Sequence, residues 1–254
     1  MQALRRRKET APYSALAAGY DVVMAHVDYA RWAAYAHERL QAHHPDPRSI
    51  LELGCGTGSL ALALQPRGLY RYRATDGSSE MIRIARRKAE LADLPVRFDV
   101  ADFTDFRVEE PVEAVVLLFD GLNYLLETDR VKALLRCAYA ALKPGGLFLL
   151  DQSTPANSIN NADYFADEGR APHFTYLRRS QYDEASRLHT TTFELSVGGE
   201  HFHEQHVQRA YDIGEIRALV QATSFDELAA YNDFSTAPAT EASERVHWVL
   251  RRDE

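Results

Sequence analysis

The 254-residue chain has only two cysteines, Cys55 and Cys137, too few for a disulfide framework and in keeping with a reducing, cytoplasmic setting. It lacks any apolar stretch near the roughly 20 residues that span a bilayer, and its N-terminus lacks the apolar core of a signal peptide. No membrane association is therefore expected. Positive charge is also in short supply, with 29 Lys and Arg against 37 Asp and Glu, which argues against a broad nucleic-acid-binding face. The one basic run, Arg5-Arg6-Arg7-Lys8, reads as a solvated tail. Internal repeats and low-complexity segments are absent, and the length suits one elaborated domain.

What the chain does have is a short apolar strand that breaks into alternating glycines, Leu51-Glu52-Leu53-Gly54-Cys55-Gly56-Thr57-Gly58, followed by an apolar run from Ser59 to Leu64. Glycine permits positive φ and lets a ligand lie against bare peptide, and the amide-rich start of the following helix faces the same turn. A nucleotide-like cofactor is expected there. A dinucleotide fingerprint places a third glycine where this chain has Ser59, which weakens a nicotinamide-dependent oxidoreductase reading.

Strand and helix patterns alternate along the middle of the chain. Strands are expected at Ile50 to Leu53, Tyr70 to Thr75, Val96 to Val100, Val112 to Phe119 and Leu147 to Asp151, with helices at Ser59 to Leu64, Ser78 to Leu91 and Arg130 to Leu142. Such alternation implies right-handed crossovers and a parallel sheet covered on both faces, with ligands beyond the carboxyl ends of the strands. Two helices meeting near Asp28 precede it. Three strand-like runs between His173 and Tyr211, with Gly198-Gly199 suited to a two-residue hairpin, form an antiparallel insertion. A helix from about Asp212 to Ala222 and strands at Phe225 to Phe234 and Arg245 to Arg251 return to the main sheet. The expected fold is α/β: a Rossmann-like, doubly wound, mostly parallel seven-stranded sheet with N-terminal helices and a small antiparallel β insertion. Its parts are a tail and helical lid (1–44), a cofactor-binding core (45–152), the insertion as substrate cover (153–211) and a C-terminal completion of the sheet (212–254).

Asp76 ends the second strand, where its carboxylate can accept from both ribose hydroxyls of a nucleoside lying across the glycine loop; capping of the next helix is the simpler role. The E-x-G-x-G-x-G pattern of Glu52, Gly54, Gly56 and Gly58 resembles motif I of the class I S-adenosylmethionine methyltransferases. The Lys143-Pro144-Gly145-Gly146 turn and the Tyr13-x-x-Leu16-Ala17-x-x-Tyr20-Asp21 segment look like the turn and lid of small-molecule members of that class. The resemblance implies S-adenosylmethionine as cofactor, S-adenosylhomocysteine as product, and methyl transfer to a nitrogen or oxygen of a small molecule. It further implies an acid at Asp102 accepting from the adenine amino group, and Tyr13 or Tyr20 bonding the methionyl carboxylate. Phe103 through its amide, Met81 through its thioether, and Cys55, Gly77 and Phe119 at the loop and strand ends complete the expected cofactor set. Glu52 is expected to order the loop or reach the cofactor ammonium. A non-catalytic protein that keeps the cofactor site is the competing class.

The segment after the fourth strand, Phe119-Asp120-Gly121-Leu122-Asn123-Tyr124, is neither the N-P-P-Y type signature of nucleic-acid amino methylation nor a Pro-Cys pair. A small-molecule substrate is expected, with Asp120 and Asn123 as binding residues and Tyr124 or His206 assisting proton loss. A regular Gly198-Gly199 hairpin pairs Leu195 with Phe202 and Phe193 with Glu204, setting His206 beside the apolar residues and Arg209 and Tyr211 on the other face. Arg209 and Tyr211 are further substrate candidates. His201, His203 and His206 would need a bulge to share a metal, so no metal site is expected. Monomer and homodimer both stay open.

Overall fold

Buried apolar strands and polar alternating strands build two separate sheets in the computed structural model, which describes residues 7–44, 46–164 and 166–253. The first contains β2 (Ser49–Leu53), β3 (Arg71–Asp76), β4 (Val96–Val100), β5 (Val112–Leu117) and β6 (Leu142–Ser153). These run parallel, and β12 (Arg245–Arg252) and β11 (Phe225–Asn232) extend them antiparallel in the order β11-β12-β6-β5-β2-β3-β4. The seven strands and their parallel character are as the sequence implies.

Side-chain alternation splits the core in two. Leu51, Leu53, Val115 and Leu117 pack with α5 (Thr128–Ala141) and α7 (Ile213–Gln221) on one face, while Ile50, Ala114 and Val116 meet α2 (Tyr29–His43), α3 (Ser59–Gly68) and α4 (Ser79–Ala92) on the other. Apolar residues on both faces are what make these strands read as unbroken hydrophobic runs. The chain order places β2 and β5 side by side with their crossovers on opposite faces, which opens a crevice beyond their carboxyl ends.

The second sheet has the order β1-β10-β9-β8-β7, made of β1 (Lys8–Thr10), β7 (Ala166–Ala171), β8 (Phe174–Asp183), β9 (Leu188–Val197) and β10 (Glu200–Arg209). Gly198 and Gly199, at φ 59° and 87°, form the tight hairpin, and Phe202 pairs with Leu195 and Glu204 with Phe193 as the regular register requires. Two strands depart from the sequence reading. Lys8 lies in β1, paired in parallel with Phe202 of β10, so the end of the basic run is not a free tail; Arg5 and Arg6 lie outside the described residues. β7 (Ala166-Asp167-Glu168-Gly169-Arg170-Ala171) contains no large apolar residue and so carries no apolar signal. A short helix, α6 (Pro155–Asn160), also joins the two sheets.

The Lys143 to Gly146 segment differs as well. Instead of a turn ahead of the strand, it is a looped-out stretch inside β6: Val112 pairs with Leu142 and Ala114 with Leu147, with Gly145 at φ 73° taking up the slack. At the N-terminus a single 3-10 turn (Leu16–Gly19) and α1 (Tyr20–Val23) precede α2, whose start Asp28 caps by accepting from the Arg31 amide at 2.9 Å. This lid lies over the strand ends, wedged between the sheets by Leu16 and Val23 against Phe174, Phe193 and Leu195.

Candidate active site

Two cavities meet beneath the lid. One, of about 380 Å³, follows the carboxyl ends of β2 and β3 and is lined by Glu52, Gly54, Cys55, Gly56, Asp76, Gly77, Met81 and Phe103 among others. The second, of about 640 Å³, lies between the lid, the β6 end and the inner face of the second sheet. Tyr13, Tyr20, Phe119 and Tyr124 line both, so an aromatic collar with three hydroxyls marks the junction. Tyr13, Phe119 and Asp120 all hold positive φ (65°, 66° and 61°), and strain of this kind in non-glycine residues persists only where surrounding contacts impose it.

The first cavity is built from backbone. Gly54 and Gly56 turn at φ 62° and 54°, and a Cβ on Gly56 would sit 3.6 Å from the Tyr20 ring, filling the space above the loop. Asp76 fixes that loop: its two oxygens accept from the Gly56 and Ser78 amides, each at 2.8 Å. Burial raises the Asp76 pKa against the pull of these amides. Glu52, 3% exposed, accepts from the Tyr72 hydroxyl at 2.9 Å; burial pushes its pKa up to about 8, opposed by Tyr72 and assisted by Asp76.

Three acids, Glu52, Asp76 and Glu80, line this cavity, and among the described residues no Lys, Arg or His does. That acceptor set fits a cofactor with cationic ammonium and sulfonium groups and with hydroxyls that donate. It disfavours the pyrophosphate of a nicotinamide dinucleotide, which needs positive or amide partners. Glu80, Thr57, Ser79 and Tyr29 are lining residues that sequence reasoning missed; helix-start residues adjoining a glycine loop were the available signal.

Two expected cofactor residues are elsewhere. Gly58 does not line the cavity: at φ 77° it precedes α3, and a Cβ there would meet the Phe98 ring at 2.9 Å, so its role is close packing of helix on sheet. Asp102 does not line it either. Its carboxylate accepts from the Thr104 amide and hydroxyl at 2.8 Å and pairs with Arg130 at 2.7 Å; against a desolvation cost these contacts hold its pKa below the ordinary value.

The second cavity contains an unbroken polar chain. Tyr13 and Tyr124 hydroxyls lie 2.5 Å apart, Tyr124 Oη is 3.0 Å from His206 Nδ1, and His206 Nε2 is 3.2 Å from Glu204 Oε2. His206 is 3% exposed and Glu204 is 0%. Tyr13 and Phe193 pack edge-on against the imidazole, with centroids 4.7 and 5.2 Å away. Burial raises the pKa values of Tyr13 and Tyr124, so both hydroxyls keep their protons near neutrality and pass them on only through partners. Burial also raises Glu204, but His206 and the amides of Leu16, Ala15 and Tyr13 reverse this and keep it below the ordinary glutamate value.

Asp120 is where the sequence places it, on the cavity wall, with Arg245 Nη1 at 2.5 Å from its Oδ1. Arg245 also contacts buried Asp151, and the two acids together hold its charge against the cost of burial. Asn123 lines the cavity but its amide is committed, donating to the carbonyls of Ser153 and Arg209 at 2.8 Å and accepting from the Ser153 amide at 3.0 Å. It ties loops together, with both N–H groups and its oxygen engaged by backbone. Arg209 and Tyr211 are corrected outright. Arg209 pairs with Glu215 at 3.0 Å and stacks on Tyr211, whose fully buried hydroxyl donates to the Leu125 carbonyl. They have the opposite side-chain parity to His206 and face away from the cavity. Glu204 and Arg245 were missed, whereas Asp151 was legible as the end of a buried strand but not as a partner of Arg245.

The lid is latched at its other end too. Asp21 accepts from the Thr57 hydroxyl at 2.5 Å and pairs with Lys88 of α4 at 2.8 Å.

Residues 50–146 match the methyltransferase-domain family. The chain superposes on the crystal structure of an S-adenosylmethionine-dependent methyltransferase from Clostridium acetobutylicum with a TM-score of 0.79, at 22% identity, over 95% of this chain and 99% of that one. The fold is that of an S-adenosylmethionine-dependent methyltransferase. A putative methyltransferase, YqeM of Bacillus subtilis, is 27% identical over 95% of this chain and 98% of its own length. The dTDP-3-amino-3,4,6-trideoxy-alpha-D-glucopyranose N,N-dimethyltransferase of Streptomyces venezuelae is 25% identical over 77% of this chain and 82% of its own. The glycine loop and the three acids of the first cavity lie within the residues that match the methyltransferase-domain family. No helix among the described residues is long and apolar enough to cross a membrane.

Proposed function

We propose that the protein transfers a methyl group from S-adenosylmethionine to an amino nitrogen of a polar small molecule held in the second cavity. The observation that carries this reading is the Tyr13–Tyr124–His206–Glu204 chain, which starts at the collar between the cavities and ends in a buried carboxylate. An amine is protonated near neutrality and becomes a nucleophile only after losing that proton. Tyr124 Oη, bonded to His206 Nδ1, is placed to take it and pass its own proton to the imidazole, whose charge Glu204 then balances. The bound cofactor supplies an electrophilic methyl, lost as its carbon–sulfur bond breaks to leave S-adenosylhomocysteine. The collar aligns the two reactants and keeps water out. A wall of Asp120, Asn157, Ser158, Asn161, Gln208 and Arg245 suits an acceptor rich in hydroxyls or other polar groups. The dTDP-aminosugar specificity of the Streptomyces venezuelae relative points the same way.

Calorimetry with S-adenosylhomocysteine and NAD(H) tests the cofactor site, with binding of the first alone expected. Labelled methyl transfer to a panel of aminosugars, other amines, phenols, alcohols and carboxylates tests the acceptor. Turnover confined to oxygen acceptors would refute the nitrogen assignment, and cofactor binding without any turnover would favour the non-catalytic class.

A further inference from the structure

Glu204 stands between two parts of the molecule that need not have been connected. Its Oε2 faces His206 Nε2 at 3.2 Å and accepts from the Tyr13 amide at 2.9 Å. Its Oε1 accepts from the Ala15 and Leu16 amides at 2.6 and 3.0 Å, with the Thr10 hydroxyl at 3.4 Å. Apart from His206, every one of these partners belongs to the N-terminal segment that covers the cofactor cavity. We propose that Glu204 is a positioning residue that couples closure of the lid to the competence of His206 for proton transfer.

The coupling rests on the methyl-transfer reading above for its purpose, but its physics is local. A neutral imidazole has one N–H, and a carboxylate on Nε2 selects the form protonated there, leaving Nδ1 to accept from Tyr124. A fully buried carboxylate persists only with strong partners, and here the lid amides supply three of them. When the lid lifts, those donors leave and water reaches Glu204. The selection of one imidazole tautomer then weakens at the same moment that the cavity opens. The titratable groups that face His206 are Glu204 on its own strand, Tyr13 from the lid and Tyr124 from the 3-10 turn after β5; Phe193 on β9 faces it without charge.

Two variants separate coupling from mere packing. In Glu204→Gln the side chain has one acceptor oxygen, so in either orientation its NH2 group opposes donors from the lid or from His206 and Tyr13. Asp21→Ala releases the far latch at Thr57 and Lys88 and touches neither Glu204 nor His206. Imidazole nitrogen NMR of His206 and hydrogen exchange of the Tyr13, Ala15 and Leu16 amides are measured in the full chain without ligand. Wild type is expected to show the Nε2–H form alone and protected amides. Glu204→Gln should give mixed tautomers and about tenfold or faster exchange at the three amides, and Asp21→Ala should move both readouts in the same direction. An unmixed His206 in Glu204→Gln, or in Asp21→Ala while the lid amides exchange faster, overturns the coupling. Neither readout needs an acceptor, so failure of methyl transfer to amines would count against the proposed function and leave this result standing.

Discussion

Replacing Asp76 with Asn keeps the shape of the side chain and removes its charge. In the structure both carboxylate oxygens are in use, accepting from Gly56 and Ser78 at 2.8 Å, while the group also lines the cofactor cavity. An amide has only one acceptor oxygen, so one of the two backbone donors must face an NH2 group. Losing one hydrogen bond to a charged acceptor should cost the ligand-free protein ~1–3 kcal/mol of stability. The ribose of the cofactor would lose a charged acceptor as well, worth ~1.5–3 kcal/mol, or about a 10- to 150-fold weaker S-adenosylhomocysteine affinity. Denaturant unfolding without ligand measures the first quantity and calorimetry the second. If stability falls while affinity stays at the wild-type value, Asp76 is a staple of the glycine loop and not the ribose acceptor.

Tyr124→Phe deletes the hydroxyl between Tyr13 and His206 and should lower kcat by about 100-fold or more with an amine acceptor; an unchanged kcat would remove Tyr124 from the proton path. His247 is buried, and burial first, then Arg245, lowers its pKa to about 3, with only the Asp233 carbonyl opposing. Because the unfolded imidazole binds protons below about pH 6.5, this stability is complete above that pH and is lost as pH falls toward the folded value, by about 2.5 kcal/mol between about pH 7 and pH 4.5. Parallel urea stability profiles for wild type and His247→Phe over that range would exclude His247 as the source. Gly58→Ala forces a side chain into positive φ and against Phe98, and should cost ~2 kcal/mol or more by thermal unfolding; a neutral effect would mean that the α3 start can shift.

The parallel core was legible because both of its signals are local: apolar runs long enough for a strand, and glycines where the backbone must turn through positive φ. β1 and β7 were not, since a polar edge strand gains its order from pairing and leaves no apolar trace in sequence. The same distinction divides the site. Glu52, Gly54, Gly56 and Asp76 sit at strand ends, where position alone implies contact with a ligand. Asp102 also has such a position, but Arg130, on a helix distant in sequence, captures its carboxylate. Glu204 went unrecognised although the hairpin register already set it on the apolar face beside Phe193 and His206. An acid on that face must be satisfied by something, and its partners, the amides of Tyr13, Ala15 and Leu16, lie at the opposite end of the chain.

The parallel pairing of Lys8–Thr10 with Phe202–Glu204 also sets an order of events during synthesis. Residues 8–10 leave the ribosome far ahead of residues 202–204 and have no neighbour for their strand until those emerge, by which time β2 to β6 and their helices are already synthesised. Contacts of such long sequence separation form late and slowly. A nascent chain stopped short of β10 would therefore hold a finished glycine loop under an unanchored lid, and the step that seals the cofactor cavity is one of the last the newly made protein takes.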